Sequence, residues 1–201
     1  MSIQKIRVHI QRPVPAYPIP PVAKRVFAGK IFDVYQWEQQ LFDGTTTLFE
    51  KLKRPDTALV VSATTEGKIL LCEQEQPGRK PYIGVLGGRV DEGEDPLSAA
   101  KRELLEESGY EASDWQLWDA VYPHSKIDWV VYTFIARGCR KVGEQKLDAG
   151  EKIALKLATL DEFIDAVLTP DFGDPLLRVK VIEAKADSRA RERLRKLLFD
   201  T

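Results

Sequence analysis

Three glutamates, Glu103, Glu106 and Glu107, stand at spacing i, i+3, i+4 in the segment DPLSAAKRELLEESG. On an α-helix of about 3.6 residues per turn this spacing gathers the carboxylates on one side, with Leu97, Ala100 and Leu104 as the opposite, core-facing stripe. Like charges one turn apart weaken a helix by roughly 0.2–0.5 kcal/mol per pair. Acids near a helix C-terminus also oppose its dipole. A positive partner is therefore required. Arg102 reaches Glu106 one turn on, and Glu94 reaches Arg102 if the loop before the helix folds back. Arg102 and Lys101 do not neutralise three acids, so hard divalent cations, Mg²⁺ or Mn²⁺, are the natural counter-charge. Carboxylates carrying such ions attract a phosphate and acidify a bound water, and the chemistry implied is metal-assisted phosphoryl transfer to water.

The elements that must position these groups are written locally. Asp95 is an N-cap, Pro96 the first helical residue and Gly109 the stop, which predicts a helix between them. The preceding VLGGRVDEGED reads as a glycine-rich loop: Gly87-Gly88 lets backbone carbonyls approach a metal and Gly93 allows a sharp turn. TALVVSA (57–63) and KILLCEQ (68–74) read as buried strands joined by a Thr-Glu-Gly turn. Further strands are expected in WQLWDAVY, WVVYTFIA and KIALKLA. Strands and helices mix without a regular βαβ repeat, which argues against a doubly wound parallel sheet. Thr159 and Glu162 form a capping box opening a helix with Phe163, Ile164 and Val167 on one side. Asp174-Pro175 opens another helical stretch, and SRARERLRKLLF closes the chain with a stripe of Leu194, Leu197 and Leu198. Upstream, five prolines between Pro13 and Pro21 make an extended arm. RVFAGKIFDVYQW and TTTLFEKLK, separated by an Asp43-Gly44 turn, read as a small antiparallel sheet.

The segment from Gly88 to Gly109 resembles the Nudix box, G-x(5)-E-x(7)-R-E-U-x-E-E-x-G-U, and every fixed position is matched, at Gly88, Glu94, Arg102, Glu103, Leu104, Glu106, Glu107 and Gly109. Tyr110 stands where the family usually has Ile, Leu or Val, a difference that bears on packing. The resemblance implies an α/β fold, a Nudix α/β/α sandwich with a mixed sheet, that hydrolyses a nucleoside diphosphate linked to another moiety. It implies Glu103 and Glu107 as main metal ligands, Glu106 assisting and the Gly87 carbonyl completing the sphere, with Arg102 and Glu94 orienting them.

A looser similarity to the ADP-ribose pyrophosphatase branch runs over most of the chain. It implies a dimerising N-terminal β region at 1–56, with the Nudix domain at 57–201, and a second acidic loop in which Glu151, ahead of Asp148, is the further carboxylate. Pro123 lies where that branch often has a substrate-side proline. Arg54 and Arg79 are candidates for holding a phosphate, and Gly88 approaches the substrate; Trp37, Trp115, Trp118 and Trp129 are possible base stackers set against a core role. Gly84 and Leu86 stand where the branch usually has Glu and Pro, which predicts loose base selection. A sensor module, or a hydrolase of dinucleoside polyphosphates, coenzymes or capped RNA, are the alternatives to a nucleotide sugar.

Composition narrows the partners. Thirty Lys and Arg against thirty-one Asp and Glu leave a net charge of -1, which supplies no field for nucleic acid or an anionic membrane. The 201 residues, 43% hydrophobic, can bury a real core. No apolar run approaches the roughly 18 residues of a membrane span, and the expected compartment is the cytoplasm. Cys72 and Cys139 lie in apolar runs and read as buried free thiols. His9 and His124 have no motif context.

Overall fold

The computed structural model describes residues 10–200; His9 lies outside them. The proline-rich stretch leads into β1 (Lys24–Ala28), β2 (Asp33–Gln40) and β3 (Thr46–Lys53). A long run of strands follows: β4 (Thr57–Thr64), β5 (Ile69–Gln76), β6 (Arg79–Gly84) and β7 (Leu86–Arg89). The acid-rich helix is α1 (Pro96–Ser108), followed by β8 (Tyr110–Glu111), β9 (Asp114–Val121), β10 (Ile127–Asp128), β11 (Val131–Lys141) and β12 (Lys152–Ala158). Three helices end the chain: α2 (Leu160–Leu168), α3 (Leu176–Ala186) and α4 (Ser188–Phe199).

Both faces of the main sheet are buried, which is why β4 and β11 read as continuous apolar runs rather than alternating ones. Leu59, Val61 and Ile135 point to one face, where they meet Phe163, Ile164, Val181, Leu194 and Leu198 of α2, α3 and α4. Ala58, Val60, Tyr132 and Phe134 point to the other and pack on Ala99, Ala100 and Leu104 of α1. The layers are therefore helix, sheet, helix. β4 and β11 are parallel neighbours, while β5, β7 and β9 join antiparallel, so the sheet is mixed. β4 pairs with β5 only through Ser62 and Ala63 and with β7 from Thr57 to Val60. The sheet thus splits along one edge of β4.

Three expectations change. The Gly87-Gly88 stretch is a strand paired to β4, not a loop. The N-terminal sheet is not wholly antiparallel, because β10, from the second half of the chain, adds to β3 in parallel and makes the order β1-β2-β3-β10. Pro175, not Asp174, precedes α3, and it makes no side-chain cap; the Asp174 side chain is turned elsewhere. The basic face of α4 is ion-paired, Arg191 with Asp161 and Arg195 with Glu192 and Asp200, as a solvated face would be. Among the described residues no helix is long and apolar enough to cross a membrane.

The arm lies on its own chain. Arg12 sends its fork to Asp56, Nε to Oδ2 at 2.8 Å and an Nη to Oδ1 at 3.0 Å, and also reaches Asp128 and the Tyr122 hydroxyl. Tyr122 in turn donates to the Pro13 carbonyl at 3.0 Å. Asp56 accepts the Val130 amide as well, so one carboxylate joins the arm, the β3–β4 connection and β11. Removing one partner of such a set leaves its mates unsatisfied at a cost of about 1–3 kcal/mol. Arg12→Ala should lower the melting temperature by roughly 2–10 °C, and Arg12→Lys, which cannot fork, should restore only part of it. Differential scanning calorimetry of the three proteins reads this directly, and equal melting points would show that the latch is idle.

Candidate active site

The helix that carries the acids begins and ends as its sequence dictates. Asp95 accepts the Leu97 and Ser98 amides, each at 3.1 Å, and Gly109, at φ 71°, closes α1 by donating to the Leu105 carbonyl at 2.8 Å. Three turns between those caps set Arg102 under the loop that precedes the helix. Glu94 folds back, tied to Asp91 by an exchange of amide bonds, and takes Arg102 Nε and an Nη at 3.1 Å each. The other Nη donates to Glu103 at 2.7 Å and Glu106 at 3.1 Å. A last bond, to the Arg89 carbonyl at 2.9 Å, fixes the guanidinium to the end of β7. These carboxylates raise the Arg102 pKa, Glu94 most of all.

The three helix acids differ in surroundings. Glu106 is open to solvent, Glu103 is mostly covered, and Glu107 is 4% exposed, so the acidic side of α1 is partly a buried side. Glu107 accepts the Gly87 amide at 2.7 Å. Gly87 is obligatory for steric reasons, since a Cβ there would meet the β4 backbone at Leu59 Cα, 2.8 Å away; one at Gly88 would lie 2.8 Å from Glu103 Oε2 and displace that carboxylate. Burial pushes the Glu107 carboxyl up to about 8, assisted by the charges of Glu103, Glu151 and Asp174 and opposed by the Gly87 amide. Burial likewise raises Glu103, against the pull of Arg102.

The acidic loop is held to the end of α1. Lys146 donates its amide to the Glu106 carbonyl at 2.7 Å, and the Gln145 side chain bridges the carbonyls of Glu107 at 2.7 Å and Ile153 at 3.2 Å. Those bonds satisfy helix-end carbonyls and bring Asp148 and Glu151 to the helix acids. A cavity of about 450 Å³ is lined by Arg102, Glu103, Glu106, Glu107, Lys146 and Glu151 among others. A second cleft of about 350 Å³ carries Arg54, Arg79, Tyr82, Trp129 and Asp174. Gly88, Arg89, Glu107 and Glu151 line both, whereas Asp148 lines the first alone.

The structure thus brings together Gly87, Gly88, Glu94, Arg102, Glu103, Glu106, Glu107, Glu151, Arg54 and Arg79. Pro123 is not brought there; it follows Tyr122 on the side where the arm is latched, and lines neither cavity. Of the four tryptophans only Trp129 lines the cleft. Arg54 lies over its ring at 4.5 Å and over Phe32 at 5.6 Å, and its buried Nε has no hydrogen-bond partner among the described residues. Arg79 lies over Tyr82 at 3.4 Å. Sequence reasoning missed Arg89, Lys146 and Asp174. The first two are unremarkable basic residues in sequence, and Asp174 carried only a helix-start signal.

The donor set suits hard divalent cations: several carboxylates, one of them with its pKa raised by burial, stand beside a backbone with no Cβ in the way. Among the described residues no ready-made ligand sphere is gathered. Glu103 and Glu106 are turned to Arg102, and Glu107 to the Gly87 amide.

The raised Glu107 has a consequence for stability. The folded chain keeps this proton up to about pH 8, while the unfolded chain releases it near 4.5. Its contribution is complete below the lower value and is lost as pH rises toward the upper one, on a scale of about 1.4 kcal/mol for each pH unit crossed. In chelator, the melting temperature should therefore fall between pH 5 and 8, and Glu107→Gln should flatten the slope. Identical slopes by calorimetry would contradict the assignment.

Comparison with known proteins agrees with this geometry. Residues 53–178 match the family described as NUDIX domain. The chain is 30% identical over 148 residues to a methanol dehydrogenase activator of Bacillus methanolicus, spanning 72% of this chain and 80% of that protein. It is 30% identical over 154 residues to an ADP-ribose pyrophosphatase of Bacillus subtilis (strain 168), spanning 75% of this chain and 83% of that one. Its fold is similar to the crystal structure of an ADP compounds hydrolase, with a TM-score of 0.68 at 19% identity over 92% of this chain and 98% of the other. With the box residues assembled around Arg102 and the family match running over more than half its length, this chain belongs to the Nudix domain family.

Proposed function

We propose that the protein is a Nudix hydrolase of the ADP-ribose type, which adds water across a nucleoside diphosphate to release a nucleoside monophosphate and a sugar phosphate. The observation that carries this reading is the shared wall: the acidic cavity and the cleft with Arg54 and Arg79 meet along Gly88, Arg89, Glu107 and Glu151. A substrate with one anionic centre between two neutral ends fits two adjoining chambers of that kind. The similarity to an ADP-ribose pyrophosphatase supports the choice of nucleotide sugar.

Glu103, Glu106 and Glu107, with the Gly87 carbonyl, are the residues that would hold Mg²⁺ or Mn²⁺; such ions, when bound, neutralise the diphosphate and acidify a water. Arg102 fixes the side chains of Glu103 and Glu106, and Glu94 fixes Arg102. Arg54 offers the diphosphate an unpaired guanidinium edge already oriented by two rings, with Arg79 and Lys146 nearby. Glu151 is the proposed acceptor of the attacking water's proton, since it lines both cavities and no cation pairs with it among the described residues. Cleavage breaks one P–O bond of the anhydride; the hydroxyl joins the attacked phosphorus and the bridging oxygen leaves with the other phosphate. The compartment proposed is the cytoplasm, in keeping with two buried free thiols.

The N-terminal sheet presents Val26, Phe27, Ile31 and Leu48, each more than half exposed, and Phe42 on its hairpin is fully exposed. Exposed apolar side chains in this number support a homodimer in which a second copy covers part of the sheet.

Two measurements bear on this reading. Glu107→Gln removes, at constant shape, the charge that Glu107 would carry beside a bound cation, and should reduce kcat on ADP-ribose at least a hundredfold, followed as release of AMP, with an unchanged far-ultraviolet dichroism spectrum. Near wild-type turnover would remove Glu107 from the site. Light scattering at micromolar concentration should give about twice the chain mass of 22.8 kDa, and a monomer would remove the dimer.

A further inference from the structure

Asp174 lies on the link between α2 and α3, far from the acidic helix in sequence, yet it lines the same cleft as Glu107. The link is pinned there. Gly173 donates its amide to the Ile83 carbonyl at 2.8 Å, and a Cβ at Gly173 would lie 2.6 Å from the Tyr82 ring, so the backbone rests flat on β6. Behind it Arg178 gathers the carbonyls of Val167 at 3.3 Å and of Thr169 and Pro170 at 2.6 Å each, fastening the end of α2 to the start of the link.

So held, the Asp174 carboxyl sits over Gly84. A Cβ at Gly84 would be 3.0 Å from Asp174 Oδ2, tighter than ordinary packing, and any longer side chain at that position would compete with the carboxyl for the same space. Oδ2 accepts the Val85 amide at 3.2 Å. No donor among the described residues reaches Oδ1, and no cation forms an ion pair with this carboxyl. Its polar neighbours are already committed to one another: Tyr82 donates to Gln74 Oε1 at 2.7 Å, and Gln74 Nε2 faces Cys72 Sγ at 2.9 Å. Oδ1 thus makes no hydrogen bond to the protein among the described residues, and it is an acceptor that remains open to the cleft.

Charge decides which part of the substrate meets it. A carboxyl disfavours a diphosphate, for which Arg54 and Arg79 in the same cleft and Lys146 in the next are the better partners; an uncharged group with N–H or O–H donors suits the space over Gly84. We propose that Asp174 is a specificity-determining residue, whose carboxyl over Gly84 accepts a hydrogen bond from the nucleobase amino group or the ribose 2′-hydroxyl of the substrate. This rests on the diphosphate-hydrolysis reading above. If the donor is a base amino group, base selection would be tighter than the missing Glu and Pro imply, because the space left at Gly84 holds a carboxyl supplied from elsewhere in the chain.

Asp174→Asn tests it at constant shape. To keep the Val85 amide the new side chain must direct its oxygen there, which leaves its NH₂ facing the cleft, a donor opposed to the substrate's donor. Isothermal titration in chelator, where nothing turns over, compares wild type and variant with ADP-ribose, its inosine counterpart, which lacks the exocyclic amino group, and its 2′-deoxy counterpart. Asp174→Asn should bind ADP-ribose at least tenfold more weakly. The loss should largely vanish with the counterpart that lacks the recognised donor, which separates base from sugar. In Mg²⁺ the variant should raise KM at least tenfold and move kcat far less, with an unchanged melting point. Binding within twofold of wild type overturns the proposal, as does a loss of equal size for all three ligands or a fall in kcat at constant KM. Should wild type hydrolyse none of the three while the titrations still discriminate, the hydrolysis reading falls and the role of Asp174 stands.

Discussion

Everything at this site depends on one guanidinium being surrounded by more negative charge than it can neutralise. Arg102 spends all three nitrogens on Glu94, Glu103, Glu106 and the Arg89 carbonyl. Those bonds tie the box loop to the helix and the helix to β7, so the geometry of three elements is fixed by a single planar group with donors in a rigid fork. A lysine there would deliver the same charge without the same geometry. The shortfall of positive charge is as informative as the bonds. Glu107 receives none of it and meets only an amide, and its carboxyl accordingly rises to about 8 through burial. Such a group, beside a Gly87 whose Cβ would strike the β4 backbone, suits the proposed position for cations.

The sheet explains why that position opens onto a cleft. β4 is shared by β7 at its start and β5 at its end, so β5 and β6 diverge from it. The gap opens Gly87 and Gly88 to the cleft that holds Arg54 and Arg79, while α1 packs against β7. Two further segments close it. The stretch before β12 is held to the C-terminal carbonyls of α1 by Lys146 and Gln145, and the link after α2 is held on β6 by Gly173. Each contributes one acid to the cleft, Glu151 and Asp174; the resemblance pointed to the first, and nothing in the local sequence marks the second.

That division also describes what could be read from sequence. The boundaries of α1, the spacing of its acids and the need for Glu94 to fold back were legible because each rests on residues within one or two turns of one another. The capping box at Thr159 was legible for the same reason, and the bond between the Thr159 hydroxyl and Glu162 is present. The strand character of Gly87-Gly88 was not, since glycine has little strand preference and only β4, nearly thirty residues earlier, pairs it. Nor was β10, two residues long, which exists because β3 offers an open edge. Asp174 was read as a helix start because aspartate before proline usually is one; the competing demand, an acceptor for the Val85 amide across the cleft, is a tertiary fact without local trace.

The near-zero net charge of the chain conceals how unevenly charge is placed. At the site, the acids of α1 and the stretch before β12 face one cavity, while Arg54 and Arg79 stand in the next, each laid against an aromatic ring. Ring stacking holds a guanidinium without consuming its hydrogen bonds, so these cations keep edges free for an anion. An ion-paired arginine such as Arg12 has no such freedom, and it serves as a fastener instead. The same residue type therefore does opposite work according to its neighbours. Arg12, although it too lies over a ring, is held by carboxylates, whereas Arg54 and Arg79 form no ion pair among the described residues. By that criterion a mean charge excludes a surface that coats nucleic acid, but it does not weigh against a pocket built for a small polyanion.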